Sequence, residues 1–389
     1  VAKLPPGCFI SVGREEIQAR KVPEPTSYWS LEEVAQSGLS NPFSGTGQEA
    51  VERLDELLQD AVKGRMVADV PLGAFLSGGI DSSTVVALLQ AQRSDAVKTF
   101  SIGFHAEGYN EATHAKEVAN HLGTDHTELY VSPEEAMDVI PKIPTLYDEP
   151  FADSSQIPTY LVSKVARQQV KVSLSGDGGD ELFGGYNRYF WAQRIWSRIG
   201  WMPSAVRSGI AEGLTSLSPE TWRTIYQGVS PVLPQSLDMK RPGENAHKLA
   251  DAMQGTRGSL YQRLVSHWDP ADVVQRGSEP HREIKPFVPD IVQEYPHQMM
   301  YHDTLTYLPN DILVKVDRAS MGVSLESRVP LLDHRVAEFA WRLPLHMKVR
   351  NGTGKWVLRQ VLYQYVPKEM MDRPKMGFGV PVGKWLRGP

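Results

Sequence analysis

Apolar residues recur at two different periods along this chain, and the switches between them predict its elements. Val51, Leu54, Leu57, Leu58, Ala61 and Val62 follow the i, i+3, i+4, i+7 spacing of a helix with one buried stripe. Residues 70–76, Val-Pro-Leu-Gly-Ala-Phe-Leu, form a short apolar run, the pattern of a buried strand. Composition and pattern then predict a helix over 83–92, a strand over 97–104, a helix over 110–122 and a strand over 126–131. Two helices over 133–146 and 157–168 follow, and a strand over 170–174. Strands alternating with helices of roughly 10–15 residues predict βαβ units. The fold class is therefore α/β, a parallel twisted sheet flanked by helices, with right-handed crossovers. Upstream, 8–12 predicts a strand that ends at Gly13, and 23–30 and 37–47 read as linkers. Past Tyr189 the β-branched runs thin out and Trp191, Trp196, Trp201, Trp222 and Trp268 appear in helical surroundings. They predict a mainly helical elaboration in which tryptophan serves packing.

Composition narrows the class. The 389 residues are 41% hydrophobic and 22% charged, which excludes a wholly disordered or fibrous chain. The length accommodates two or three domains. A net charge of −5 offers no general basic field, so no nucleic-acid partner is expected. Cys8 is the one cysteine, which excludes an intrachain disulfide and a cysteine zinc cluster. No run of about 18 apolar residues predicts a membrane span. The expectation is a reduced, cytoplasmic protein of more than one domain. The chain opens at Val1 and stops at Pro389, and both ends read as cut.

Chemistry concentrates in two loops. Phe75-Leu76-Ser77-Gly78-Gly79-Ile80-Asp81-Ser82-Ser83 lies between a predicted strand and a predicted helix. In an open parallel sheet, ligands bind beyond the carboxyl ends of the strands. Ser77, Gly78 and Gly79 leave backbone N–H groups uncovered, a nest for an anion, and Ser82 and Ser83 open a helix whose positive end attracts phosphate. Asp81 would repel phosphate unless a cation such as Mg²⁺ stands between them; alternatively it is a helix cap. No lysine follows at Walker spacing, and there is no GxGxxG. The loop resembles that of the ATP pyrophosphatases, which cleave ATP to AMP and pyrophosphate. The second loop, Ser175-Gly176-Asp177-Gly178-Gly179-Asp180-Glu181-Leu182-Phe183-Gly184-Gly185-Tyr186, follows the strand over 170–174. Its glycines permit close backbone approach to a ligand, and its crowded carboxylates call for a cation.

This second loop resembles a signature of the glutamine-hydrolysing asparagine synthetase family. The resemblance extends to Leu313-Val-Lys-Val-Asp317-Arg318-Ala-Ser-Met321, to Glu326-Ser-Arg328-Val-Pro-Leu-Leu-Asp333 and to Arg373-Pro-Lys375-Met-Gly-Phe-Gly-Val-Pro381. It runs from about residue 48 to the end, and it implies an adenine-nucleotide α-hydrolase-like sheet. By resemblance, Leu76, Ile102, Ser175 and Gly176 contact adenosine or its phosphate. Asp81 and Asp180 hold Mg²⁺ on pyrophosphate, and Lys375 is the catalytic lysine on a lid containing Gly377 and Gly379. Asp177, placed with Lys375 among the catalytic residues, stands where many members carry glutamate, one methylene longer, which weakens its claim to a direct substrate contact. Ile102 also lies near the end of its predicted strand, where its backbone could read an adenine edge. Asp317, Arg318, Glu326, Arg328 and Asp333 are charged appropriately for an amino-acid substrate; a buried ion-pair network is the equal alternative. His114, His121 and His126 lack metal-ligand spacing.

The implied reaction joins aspartate and ATP to β-aspartyl-AMP, then amidates it with ammonia, normally drawn from glutamine. Residues 1–30 read as the remnant of a glutaminase domain and its linker, 48–189 as the ATP-pyrophosphatase core, and 190–389 as the mainly helical part that closes the site. The glutaminase domain is expected to be missing, Cys8 to be a bystander, and a short C-terminal stretch to lie beyond residue 389. A homodimer is compatible with the resemblance. Two alternatives stay open: a sibling amide-forming enzyme of the β-lactam synthetase or peptide-cyclase type, and a non-catalytic nucleotide-binding subunit.

Overall fold

The computed structural model describes residues 3–104, 112–229, 247, 249–250, 252–266 and 288–372. They form two compact units, one drawn from residues 1–185, 286–293 and 300–389, the other from 186–285 and 294–299. The segment from residue 300 onward thus rejoins the unit that holds the sheet.

The larger unit opens with a two-stranded antiparallel ladder, β1 (Cys8–Phe9) against β2 (Thr26–Ser27). Its main sheet has five parallel strands: β3 (Leu72–Phe75), β4 (Lys98–Phe104), β5 (Asp125–Val131), β6 (Val172–Leu174) and β7 (Glu326–Arg328). Their order is β5-β4-β3-β6-β7. Period-two alternation assigns the faces. Leu72, Ala74, Val172 and Leu174 join one core, which is built with α1 (Gly47–Arg65), α2 (Ile80–Ala91), α3 (Ala112–Leu122), α4 (His334–Arg342) and α5 (Trp356–Leu362). Phe100, Ile102 and Phe104 join a second core with Ile157, Leu161 and Val162 of the helix Gln156–Arg167.

The predicted stripe of α1 is buried as read, from Val51 through Val62. Its start is fixed by a capping box: the Glu49 N–H donates to Thr46 Oγ at 3.2 Å, and the Thr46 N–H donates to the Glu49 carboxylate at 2.6 Å. From Ser82 to Leu89 α2 is buried on every side, so it has no polar face to show in the sequence.

Several expectations change, beginning with the strand over 8–12, of which only Cys8–Phe9 forms and pairs with Thr26–Ser27 inside the expected 23–30 linker. The helix expected over 133–146 is broken into a helix Pro133–Met137, a 3₁₀ turn Ile140–Lys142 and a helix Ile143–Tyr147, because Pro141 and Pro144 cannot sit in a helix interior. The linker read over 37–47 begins inside a helix, Leu31–Ser40, whose Leu31 and Ala35 pack with Val292, Tyr301 and Trp341. Strand β7 was not foreseen: Glu-Ser-Arg carries no apolar pattern and is three residues long.

The second unit contains the helices Asn187–Ile199, Ser204–Thr215, Pro219–Val229 and Arg257–Val265. Trp196 lies beneath the guanidinium of Arg207, 5.2 Å from its ring centroid, as a packing tryptophan should. Trp191 and Trp201 do not pack: they are 65% and 77% exposed. Trp268 lies outside the described residues. Among the described residues no helix is long and apolar enough to cross a membrane.

Candidate functional site

The strand order fixes where a ligand can sit. From β3 the chain runs outward through β4 to β5, then returns to place β6 on the other side of β3. Neighbouring connections diverge between β3 and β6, which opens a crevice at their carboxyl ends. Both sequence-predicted loops emerge there.

In the first loop, the Ser77 N–H donates to Ser82 Oγ at 3.2 Å, the two serine hydroxyls lie 2.9 Å apart, and the Gly79 N–H donates to Ser77 Oγ at 3.3 Å. Gly78 adopts φ +69°, and α2 starts at Ile80 with Asp81 in its first turn. The loop is thus tied by its own hydroxyls into the turn that precedes a helix N-terminus. Ser83 is fully buried, deeper than the loop surface. Leu76 is also buried, and its N–H donates to the Phe100 carbonyl at 2.9 Å. The register between β3 and β4 ends at Phe75–Phe100, so Ile102 stands two residues beyond it.

The second loop leans directly on the first. A Cβ on Gly176 would come within 2.5 Å of the Ser82 backbone nitrogen, and one on Gly179 within 2.5 Å of the Asp81 carboxyl. Gly178 turns the chain at φ +92°, with Leu332 filling the place a side chain would need. These glycines serve the apposition of the two loops, whereas the sequence suggested approach to a ligand alone. Ser175 closes the sheet side by donating its N–H to the Arg328 carbonyl at 2.8 Å. Its hydroxyl donates to Asp177. Burial pushes the Asp177 carboxyl above its usual range, against the pull of that hydroxyl, Lys315 and Lys355.

Between the two predicted metal carboxylates sits a group the sequence reading passed over. Lys355 Nζ lies 2.5 Å from Asp81 Oδ2 and 2.8 Å from Asp180 Oδ1. The lysine is 6% exposed. Burial opposes its charge, but Asp180 and Asp81 outweigh that and hold the ammonium above its usual range. Its delivery is local. Arg350 and Thr353 exchange both backbone hydrogen bonds at 2.9 Å around Asn351 and Gly352, which lie at φ +52° and +74°. That is an Asn-Gly turn of type I′. Lys355 follows at φ +60°, its N–H donating to the Phe183 carbonyl at 2.9 Å, and α5 begins. A non-glycine residue held there costs about 1 kcal/mol, which the carboxylate contacts offset. The signal was present in the sequence as Asn-Gly-Thr-Gly-Lys ahead of an apolar helix.

A second ion pair lies nearby in electrostatic reach of Asp177. Lys315 Nζ is 2.8 Å from Asp153 Oδ2, and Asp153 also accepts from the Ser155 N–H and hydroxyl at 2.8 and 2.7 Å. Both residues lay outside the predicted set.

The residues expected to bind an amino acid divide: Glu326, Arg328 and Asp333 meet around Arg65, and Asp317 and Arg318 lie apart from them. Asp317 and Arg318 are exposed on the helix Leu313–Met321, where Arg318 pairs with Asp148 at 2.7 Å. Arg328 donates to the Arg65 and Val67 carbonyls at 2.9 and 2.8 Å and to Glu326 at 2.6 Å. Asp333 caps α4, accepts from Arg335, and pairs with Arg65 at 2.8 Å. The arginines hold its carboxyl well below the usual carboxylate range despite its burial. Lys375, Gly377 and Gly379 lie outside the described residues. Of the histidines, His126 is held between Thr99 and Ser101 at 2.9 and 3.1 Å.

Two carboxylates that already share one cation are a fitting donor set for a hard divalent ion such as Mg²⁺. Among the described residues no three His, Cys, Asp or Glu side chains gather as a metal group, so further oxygens would have to come from the ligand.

The asparagine synthase family profile matches residues 53–389. Asparagine synthetase [glutamine-hydrolyzing] 1 of Bacillus subtilis (strain 168) is 34% identical, over 89% of this chain and 52% of its own length. Asparagine synthetase [glutamine-hydrolyzing] 3 of the same strain is 26% identical over 90% of this chain and 50% of its own length. Asparagine synthetase B [glutamine-hydrolyzing] of Escherichia coli (strain K12) is 37% identical over 34% of this chain and 26% of its length. The chain spans about half the length of the curated relatives that it matches along most of its own.

Proposed function

The chain belongs to the asparagine synthase family, and from that membership we infer that it is a ligase which activates the side-chain carboxylate of aspartate with ATP and amidates it with ammonia. The observation that carries the reading is the pairing of the two loops at the β3–β6 switch point, with Asp81, Asp180 and Lys355 converging. Polyphosphate would rest on the uncovered N–H groups of residues 77–79 and the start of α2. Leu76 and Ile102 would flank adenine, with Ser175 and Gly176 beside the α-phosphate. Asp81 and Asp180 would hold Mg²⁺, which when bound neutralises pyrophosphate as it departs.

A carboxylate does not expel oxide at neutral pH, whereas AMP is a competent leaving group. A carboxylate oxygen of aspartate attacks the α-phosphorus, the bond to the bridging oxygen breaks, and pyrophosphate leaves. Ammonia then attacks the acyl carbon, AMP leaves with the bonding pair, and the nitrogen sheds its proton. The protein supplies position and fixed charge, the ammonium groups of Lys355 and Lys375 opposing negative charge as it builds. Asp177 and the Lys315–Asp153 pair are candidates for orienting the amino acid, which needs an anion for its ammonium and a cation for its carboxylate. Arg328 and Asp333 we assign to structure, because Arg328 is engaged by the Arg65 and Val67 carbonyls and by Glu326, and Asp333 by Arg335 and Arg65.

Incubation with ATP, Mg²⁺, aspartate and ammonium is expected to yield pyrophosphate, AMP and asparagine in equal amounts, read by coupled pyrophosphate assay and amino-acid analysis. ADP as product would refute the chemistry. Pyrophosphate formed only with a different carboxylic acid would move the protein to a sibling amide-forming activity.

A further inference from the structure

The Asp81–Asp180 pair already holds a cation, and this inference builds on the functional reading above. Lys355 Nζ makes contact with both carboxylates at 2.5 and 2.8 Å, with 8% of its side chain exposed. The seat is fitted around it: the place of a Cβ on Gly185 is filled by Lys355 Cε and Asp180 Oδ1 together. Its backbone is fastened to the second loop through Phe183, so the ammonium is delivered by a fixed turn and not by a wandering chain. A divalent ion entering the pair alone would meet a positive charge at contact distance and find two protein carboxylates, fewer oxygens than its coordination shell needs.

We propose that Lys355 is a built-in counter-cation that bars free divalent metal from Asp81 and Asp180 until a polyphosphate arrives to give the ammonium new acceptors. The polyphosphate then does two things at once: it supplies the missing metal oxygens, and it offers a partner to which a flexible four-carbon side chain swings. Metal and polyphosphate become thermodynamically coupled, each raising the other's affinity by the same factor. The free protein avoids two unneutralised, mutually repelling carboxylates, and the site is not filled by stray metal in a form that cannot take nucleotide.

The test is binding of Mn²⁺, followed by electron paramagnetic resonance and calorimetry, to the unmodified protein with and without inorganic pyrophosphate; signal lost in Asp81→Asn identifies the site. Binding of Mn²⁺ alone is expected to be at least about tenfold weaker than in the presence of pyrophosphate, with the metal–pyrophosphate association in buffer measured and subtracted. Lys355→Met is expected to bind Mn²⁺ alone at least about tenfold more tightly than the parent, and Lys355→Arg to bind it as weakly as the parent. Equal Mn²⁺ affinity with and without pyrophosphate in the unmodified protein would overturn the proposal, whether or not the methionine variant folds. So would a folded Lys355→Met, confirmed by circular dichroism, that gains no affinity. If ATP and aspartate still give pyrophosphate in either case, the functional reading survives the loss of this one; if they give none, both fall.

Discussion

At the residue scale, the decisive contacts involve charges that would be costly alone. Lys355, Asp81 and Asp180 are mostly buried, and each is tolerable because the others are present. Replacing Lys355 by Met is expected to cost about 3 kcal/mol of unfolding free energy by urea titration, through the carboxylates left behind. Adding Asp180→Asn to that variant should recover part of the loss, because neighbours within one network are not additive. Asp180→Asn alone is expected to lower pyrophosphate formation by about 100-fold or more with a native circular dichroism spectrum; near-normal turnover would remove it from the site. Asp333 belongs to the other kind of charged residue. Asp333→Ala is expected to cost about 2 kcal/mol through loss of the α4 cap and its arginine partners. The Michaelis constant for aspartate should stay unchanged, and a large rise would return Asp333 to substrate binding. The pH dependence has a definite sign. The folded-state value lies below the unfolded value of about 3.9, so the stabilisation is complete above that pH and fades as pH falls toward the folded value. Acid titration of the parent against Asp333→Ala should converge only in that low range.

At the scale of elements, the site depends on turns more than on helices. The Asn351-Gly352 turn aims Lys355, and a Cβ on Gly354 would strike the Gly184 carbonyl. Gly354→Ala is therefore expected to lower pyrophosphate release at least about tenfold while shifting the melting temperature only modestly, since the clash falls on the site's own backbone. How much of this was legible in the sequence divides along physical lines. The stripe of α1 announced itself because one-sided burial imprints a period, and β3 and β6 did so because strands buried along nearly their whole length read as short apolar runs. The two glycine loops were legible because few structural roles require so much glycine beside carboxylate. Lys355 was not read, since a lysine's meaning depends on what faces it, and Asp81 lies 274 positions away. The partners of Asp333 were hidden for the same reason: Arg65, which pairs with it, belongs to an element 268 positions upstream.

At the scale of the molecule, one loop from each side of the switch point is needed, and the lysine that joins them comes from a third segment late in the chain. The predicted boundary at residue 189 lies close to the junction between the two compact units at 185–186, yet the sheet unit takes back everything described from residue 300 onward. Periodicity reports local burial and is silent on which distant segment returns to complete a sheet, so that return could not be read from it.

Strand β7 gives the fold a timetable. Val172 pairs with Glu326 and Leu174 with Arg328, so the outer edge of β6 has no permanent neighbour until more than 150 further residues have left the ribosome. Through that interval a short, wholly buried strand presents open hydrogen-bonding groups to any passing β-edge. A nascent chain halted before Glu326 is therefore a sticky one, and synthesis slowed there should send product into aggregates or onto chaperones. The three unremarkable residues Glu326-Ser327-Arg328 cover the edge of β6 and hand the sheet's outer edge to a short, charged strand, which is a poorer template for other chains.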